Sequence, residues 1–407
     1  MIIVIYDEYP FFINTIVTKE VLHGVFPNTL TDTQKQYLQT IFNEVMFINN
    51  YWINIKETMY ELCEKHKYTK IVAPRETDLL LAAELRDKYE IKGQTLKSAM
   101  CFRDKVLMKT ILEKSNIRVP KFQLIKSHSD IDDYLKKTNN TYPVVIKPTR
   151  MSGARSVTII KSYKEILEWL TKYDFNSNDW EIEEYISGDF FHVDGLIQDG
   201  NIIAIWASKY VTPIAEISYD KLDCDYIIPH DHILLKPLCL FAENVMKELQ
   251  LYSQYKLRSA FHMELFYSNN KEIVFCEVAS RVGGCKLHEG WYRAFDIDLY
   301  EQHINLSMDY EIKVKQPVRP KLLVGALRIP AKLGTIIRIP HVLSEDIKGI
   351  DGYLCYHSTG SSIVDLQTAD GFSVNLIFSF VTGTDENELL TNLENFKKWF
   401  YDNTLIL

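Results

Sequence analysis

The sequence predicts a mixed α/β chain built from several units, and three observations carry that expectation. Ile2–Tyr6 and Ile71–Pro74 are short, continuously apolar runs of the buried parallel-strand type, and a helix with apolar periodicity, Asp78–Tyr89, follows the second. Residues 122–190 alternate short strands with helices. Farther on, the strand-like segments His262–Tyr267 and Glu277–Gly284 flank a turn centred on Ser268-Asn269-Asn270-Lys271, which makes an antiparallel hairpin. A chain of 407 residues has room for roughly two to four such units with ample core.

Taken in order, residues 1–97 read as an N-terminal Rossmann-like α/β unit closed by Gly93. No two glycines stand in GxG spacing and there is no GxxxxGK[ST] loop, so neither the dinucleotide fingerprint nor the common phosphate loop is present. A helix is expected over Arg103–Lys114, stopping before Pro120. The next unit holds strands Phe122–Ile125, Val144–Lys147, Ser156–Ile160 and Trp180–Ile186 with a helix at Lys164–Tyr173. Val193–Asp199 and Asn201–Ser208 form a hairpin about Asp199-Gly200. Helix 236–250 precedes the later hairpin, and one helix, 286–308, is expected after it. Beyond the linker Lys315–Pro320, residues 321–382 are strand-rich with Gly and Pro turns, and a last helix covers 385–400.

Composition narrows the partners. A net charge of −8 argues against nucleic acid or an acidic lipid surface. Seven cysteines, odd in number and without CxxC spacing, fit a reducing cytoplasm better than a disulfide framework or a cysteine zinc site. Met1–Asp7 lacks a basic start and turns acidic at once, so it reads as a first strand and not as a signal peptide. No apolar run reaches membrane-spanning length.

The chemistry centres on the glutamate hairpin. If it is symmetric about Asn269-Asn270, Glu264 lies opposite Phe275, Glu277 lies opposite His262, and the two glutamates are diagonal neighbours on one face. Two such carboxylates repel unless a cation sits between them. Mg²⁺ suits the place, because it binds through one or two carboxylates and completes its shell with phosphate oxygens. Arg281 and the Gly283-Gly284 pair would then offer a guanidinium fork and bare N–H groups to an anion. The alternative is an edge hairpin with solvated glutamates, and its apolar neighbours, Phe261, Met263, Leu265 and Phe275 among them, weigh against it. Lys147 ends an apolar strand and either snorkels or meets a buried anion. The loop Thr149–Ser156, with Ser152, Gly153 and Ser156, can present backbone N–H groups to phosphate. Glu181–Asp189 sets carboxylates at a strand-to-loop exit.

In sequence, these are Arg103-Asp104-Lys105 on a helix, Lys147-Pro148 with its Gly/Ser loop, an acidic hinge ending at Gly188, Glu264, and Glu277-Val278-Ala279-Ser280-Arg281. That order resembles the ATP-grasp superfamily over residues 70–310, and within it most resembles the L-amino acid ligases that form dipeptides. Asp194–Gly200 and Gly325-Ala326-Leu327 add to the likeness. The resemblance implies an N-terminal domain over 1–97, an ATP-grasp domain over 98–311 with a mobile lid at 122–190, and a small C-terminal domain over 312–407. It implies that Lys105 and Lys147 bind phosphates, that Ser152, Gly153 and Ser156 belong to a loop covering the triphosphate, and that Glu183, Glu184 and Ile186 form the adenine hinge. Glu264 and Glu277 become ligands of Mg²⁺, with Mn²⁺ as an alternative, and Arg281 neutralises the transferred phosphate. Two departures stand out: Ala279 where the superfamily often has a metal-binding Asn, and Phe190 where it usually has the ribose carboxylate, for which Asp189 is the substitute.

For the substrate wall the sequence offers Gly283, Gly284, His288, Glu289 and Trp291. His288 or Glu289 could bind or deprotonate an amine and Trp291 could shape a pocket; equally, all three could be ordinary residues of the following helix. His262 shares the glutamates' face, and His230 with His232 imitates a metal pair that lacks a third ligand. The resemblance implies a cytoplasmic homodimer that binds ATP and joins a carboxylate to an amine, with amino acids as small-molecule substrates, through an acyl phosphate. The rival expectations are a biotin-carboxylase-like or purine-pathway-like ligase of the same fold, and a nucleotide-binding subunit without catalysis.

Overall fold

The computed structural model describes residues 1–16, 18–173, 179–213, 216–367 and 374–407. Residues 174–178 of the expected lid and 368–373 of the strand-rich segment lie outside the described residues. The N-terminal unit alternates β1 (Ile2–Ile5), β2 (Leu22–Pro27), α1 (Asp32–Ile41), β3 (Glu44–Ile48), α2 (Tyr51–Lys65), β4 (Lys70–Val72) and α3 (Leu79–Lys88). Its strands are all parallel, in the order β3-β2-β1-β4. The fully buried Ile2–Ile5 run lies at the centre, as a strand covered on both faces requires. Residues 22–65 went unread in the sequence, although Thr31 and Gln34 form a capping box at the start of α1.

A short α4 (Leu96–Met100) leads into α5 (Lys105–Lys114), whose N-cap Asp104 accepts the Leu107 N–H. The lid contains β5 (Phe122–Ile125), α6 (His128–Lys137), β6 (Val144–Pro148), β7 (Thr158–Ile160), α7 (Tyr163–Lys172) and β8 (Trp180–Glu184). Its strands run β5-β8-β6-β7 and its helices bury Ile131, Ile166 and Trp169 in a core separate from the rest. The lid sheet ends at Glu184. Residues 188–190, expected in the lid, begin β9 (Gly188–Gln198) of the main sheet instead.

That main sheet continues with β10 (Asn201–Tyr210), β11 (Asp223–Ile227), α8 (Leu235–Ser253), β12 (Ser259–Ser268) and β13 (Ile273–Ala279). The expected single helix 286–308 is two, α9 (Leu287–Phe295) and α10 (Leu299–Ser307). Asp296 turns left-handed at φ 56°, and Asp298 caps α10 by accepting the Tyr300 and Glu301 N–H groups, so a local side-chain bond overrides the apolar period. The chain ends with β14 (Leu323–Pro330), β15 (Gly334–Arg338), β16 (Ile350–Cys355), β17 (Ser362–Ile363), β18 (Asn375–Gly383), α11 (Glu386–Asp402) and β19 (Leu405–Ile406). Eight strands make one sheet in the order β13-β12-β9-β10-β11-β14-β18-β16, which crosses residue 312 without a break. Among the described residues, no helix is long and apolar enough to cross a membrane.

Candidate active site

The hairpin of β12 and β13 carries the two glutamates, but not in the diagonal register expected. Glu264 lies directly opposite Glu277, while Leu265 pairs with Phe275. Cys276 is the extra residue of a β-bulge, and a bulge shifts everything beyond it by one place. His262, two residues before Glu264, therefore faces Ala279 and puts its Nε2 3.5 Å from Glu264 Oε1. Tyr210 donates its hydroxyl to the same oxygen at 3.2 Å. Burial raises the Glu264 pKa, and His262 and His192 outweigh it, leaving the carboxyl below its usual range. Lys105, at the first position of α5, brings its Nζ to 2.9 Å from Glu277 Oε2 and donates to the Met151 carbonyl at 2.6 Å. Two carboxylates facing each other, with a lysine beside them, form the hard-oxygen donor set that suits Mg²⁺.

Lys147, at the end of β6, does not snorkel. It is 4% exposed and stands 2.6 Å from Glu183 Oε1 and 3.9 Å from Glu181 Oε1, both on the neighbouring β8. Burial opposes its charge, and the Cys276 sulfur with the Glu183 and Glu181 carboxylates outweighs it and holds the pKa well above that of ordinary lysine. A fourth member, Lys109, is fully buried, 2.8 Å from Glu181 Oε2 and hydrogen-bonded to Glu183. Sequence reasoning passed over Lys109, although its place four residues after Lys105 sets both on one helix face. Glu183 is thus engaged by two lysines. The Glu184 N–H, expected to serve the hinge, already donates to Lys121 O at 2.8 Å, and the Glu184 side chain pairs with Arg118 at 3.0 Å. Ile186, the remaining hinge position, is buried. Beside it Phe190 packs on Phe266, with ring centroids 4.5 Å apart, and on Tyr210, making with Cys276 a small apolar floor next to Lys147. Asp189 is half exposed and pairs with Lys209 at 3.1 Å.

The loop expected to cover the triphosphate is tied down at its start. Arg103 bonds the Arg150 carbonyl and Lys105 bonds that of Met151, while Gly153, Ala154 and Ser156 are left-handed at φ 68°, 54° and 58°. Such a run turns backbone N–H groups toward one concave side. Arg155 donates to the Ser152 carbonyl at 3.0 Å.

Arg281 donates through Nε to Glu76 at 2.9 Å and through Nη1 to the Val282 carbonyl at 2.9 Å, and Arg103 bonds the other oxygen of Glu76. Burial of Glu76 is outweighed by Arg281 and Arg103, so its carboxyl lies far below the usual range. A carboxylate of the N-terminal unit therefore aims the arginine, a partnership too distant in sequence to read beforehand.

The substrate wall divides. At Gly283 a Cβ would come within 2.4 Å of Leu287 Cδ1 and 2.9 Å of His262 Nδ1, so a larger residue there would push those side chains aside, whereas Gly284 is open. Trp291, expected to shape a pocket, is 2% exposed and packs on Phe295 in the core: α9 turns it inward. Glu289 pairs with Lys286 at 3.2 Å and Arg293 at 3.4 Å. His288 stacks on Phe11 with centroids 5.2 Å apart and meets Tyr300 edge-on. His232 Nδ1 accepts the Leu234 N–H, and among the described residues it joins no candidate metal cluster.

A buried polar line was also missed. From His262 it passes to Asp194 at 2.8 Å, to His192, to Asp225 at 3.4 Å and to Arg328, which holds Asp225 at 3.1 Å and Asp223 at 2.6 Å. Strand register builds it, with Asp194 opposite His262 and His192 opposite Glu264. Burial disfavours the His192 charge, and Asp194 and Asp225 overcome that and push its pKa up to about 10. Alternating His192 and Asp194 in the sequence was the available signal.

A parallel N-terminal unit, a smaller unit with its own core and a mixed sheet presenting paired glutamates make up an ATP-grasp fold. Residues 140–289 match the ATP-grasp domain family. The chain is 24% identical over 356 residues to the L-arginine-specific L-amino acid ligase of Bacillus subtilis, covering 85% of this chain and 83% of that protein. Over 118 residues it is 36% identical to D-alanine–D-alanine ligase A of Clostridium perfringens, 28% of this chain and 36% of that one. The crystal structure of L-amino acid ligase from Bacillus licheniformis superposes with a TM-score of 0.73 at 15% identity, covering 100% of this chain and 98% of that one. Residues 140–289 thus carry an ATP-grasp domain, and the curated relatives that the chain resembles are carboxylate–amine ligases.

Proposed function

We propose that the protein forms an amide bond between amino acids, splitting ATP to ADP and phosphate by way of an acyl phosphate. The observation that carries this reading is the direct opposition of Glu264 and Glu277 beside Lys105, with Lys147 and Arg281 as the other cations nearby. A carboxylate is a poor electrophile because its oxygen leaves badly, and phosphorylation cures that. Its oxygen attacks the γ-phosphorus and ADP departs; the amine nitrogen then attacks the acyl carbon, phosphate departs, and the nitrogen gives up a proton. Such transfer needs positioning and charge neutralisation more than covalent help. Lys105 and Lys147 hold phosphate oxygens, Arg281 aligns the carboxylate with the γ-phosphate, and the lid with its 149–156 loop keeps water from the intermediate. Bound at Glu264 and Glu277, Mg²⁺ would neutralise the phosphate oxygens. The apolar floor of Phe190, Phe266 and Cys276 takes the flat face of the base. We assign the amine's proton to His288, whose pKa burial holds below the ordinary histidine value and whose Nδ1 has no hydrogen-bond partner.

The likeness to an amino acid ligase over most of both chains supports this substrate class. The test is phosphate release with ATP, Mg²⁺ and pairs of amino acids, with product mass measured alongside. Release that depends on an amino acid and yields a dipeptide mass is expected. Release with bicarbonate alone, or none with any amino acid, would overturn the reading.

A further inference from the structure

Away from the nucleotide cleft, the edge of the N-terminal sheet gathers three side chains that the reaction does not use. His23 on β2 and Glu44 on β3 are register partners in parallel strands, so both project from the same side of the sheet. At the end of α2 the backbone of His66 turns extended, at φ −128° and ψ 145°. His23 Nε2 lies 3.9 Å from Glu44 Oε2, and His66 Nε2 lies 3.8 Å from that same oxygen. The imidazoles meet edge to face with centroids 4.8 Å apart.

We propose that His23, Glu44 and His66 bind a divalent transition-metal ion of the Zn²⁺ type, with Tyr68 orienting His23. Ligands at 2.0–2.1 Å from a tetrahedral Zn²⁺ stand about 3.3 Å from one another. The three donor atoms here lie within 4.8 Å of one another, so small side-chain rotations bring them to an ion. Each imidazole has a nitrogen available for the ion. His66 Nε2 is buried with no hydrogen-bond partner. His23 Nδ1 sits 2.9 Å from the Tyr68 hydroxyl, and an N–H given to that oxygen leaves the Nε2 lone pair facing Glu44. Two imidazoles and one carboxylate form a borderline-soft set that Mg²⁺, which demands oxygen ligands, does not favour. The site thus selects a different ion from the one proposed for Glu264 and Glu277. Water completes the fourth position on the exposed side of Glu44, and the ion ties the end of α2 to the two outer strands.

The full-length protein, freed of metal with a chelator, is titrated with Zn²⁺ by calorimetry in excess ATP and Mg²⁺, which fills the oxygen-lined site. A single equivalent should bind, and the unfolding midpoint should rise on adding it. Co²⁺ in its place should give tetrahedral visible absorption. Both His66→Ala and the shape-preserving Glu44→Gln should lose that equivalent while binding ATP as before. Removing the hydroxyl in Tyr68→Phe should weaken Zn²⁺ by about 10–100-fold. Absence of Zn²⁺ binding to the unaltered chain overturns the site, and so does undiminished binding in Glu44→Gln and His66→Ala. Undiminished affinity in Tyr68→Phe overturns the orienting role.

Discussion

Glu264 has Tyr210 and His262 as partners, and neither depends on its charge alone for packing. Glu264→Gln keeps the shape and the Tyr210 bond, removes one of two opposed charges, and should leave the urea-unfolding midpoint nearly unchanged. Phosphate release should fall by roughly 100-fold or more, the scale of losing a charge-stabilising group in such a site. Equal turnover in the two proteins would remove Glu264 from the reaction. One residue through which pH acts on stability is His303. It is buried, its Nδ1 accepts the Ala260 N–H, and burial depresses its pKa to about 4. A depressed histidine is protonated more readily in the unfolded chain, so stability is full above about pH 6.5 and declines as pH falls towards 4. A shift of that size corresponds to about 3 kcal/mol over this window. Denaturation of the protein at pH 7 and pH 4.5 should show the decline, and His303→Gln, which retains an acceptor, should flatten that part of the profile.

Among elements, the sequence was readable wherever periodicity was local. β5 matches its expected bounds, and α5, α7, α8 and α11 depart from theirs by at most a few residues. The glutamate hairpin was recognised from its turn, yet at the glutamates its register was two residues off: one step arises at the turn, where Leu265 already pairs with Phe275, and the other at the Cys276 bulge, which leaves no mark in the turn. Lys109, Glu76 and Arg328 escaped notice for a different reason: their partners lie on other elements, and a charge that pairs far along the chain looks like any surface charge. Trp291 was left open between pocket and helix packing, because a tryptophan beside a glycine pair suits both equally well, and it lies in the core. The lid is the element whose motion can be tested. With its own core it can move as a body, while Arg103 and Lys105 tether its loop at residues 150 and 151. Hydrogen exchange across 149–156 should slow when a non-hydrolysable ATP analogue and Mg²⁺ are added. Exchange unchanged in that segment, with binding verified calorimetrically, would argue against a cover.

At the scale of the whole molecule, Glu76 joins the N-terminal unit to Arg103, just ahead of α5, and to Arg281 beyond β13. Glu76→Gln leaves two buried guanidinium groups short of their counter-charge and should cost about 3–5 kcal/mol, as breaking a buried pair does. Amide formation should fall more than ATP binding, because Arg281 loses its aim; kcat and the ATP Kd measured on one preparation separate the two. The acid side follows from the same residue. A carboxyl with depressed pKa contributes stability that is present above the unfolded value near pH 4.5 and drains away below it, a trend the Gln variant should lack. One consequence reaches back to how the chain is made. β11 is flanked by β10, already synthesised, and by β14, which is flanked in turn by β18. As the chain leaves the ribosome, both glutamates and Arg281 emerge before residues 323–383 do. For that interval the nascent protein carries Glu264, Glu277 and Arg281 beside a sheet with a bare edge at β11, and Asp225 waits for Arg328. A stalled or truncated product ending near residue 312 would therefore be a sticky fragment and not a smaller enzyme.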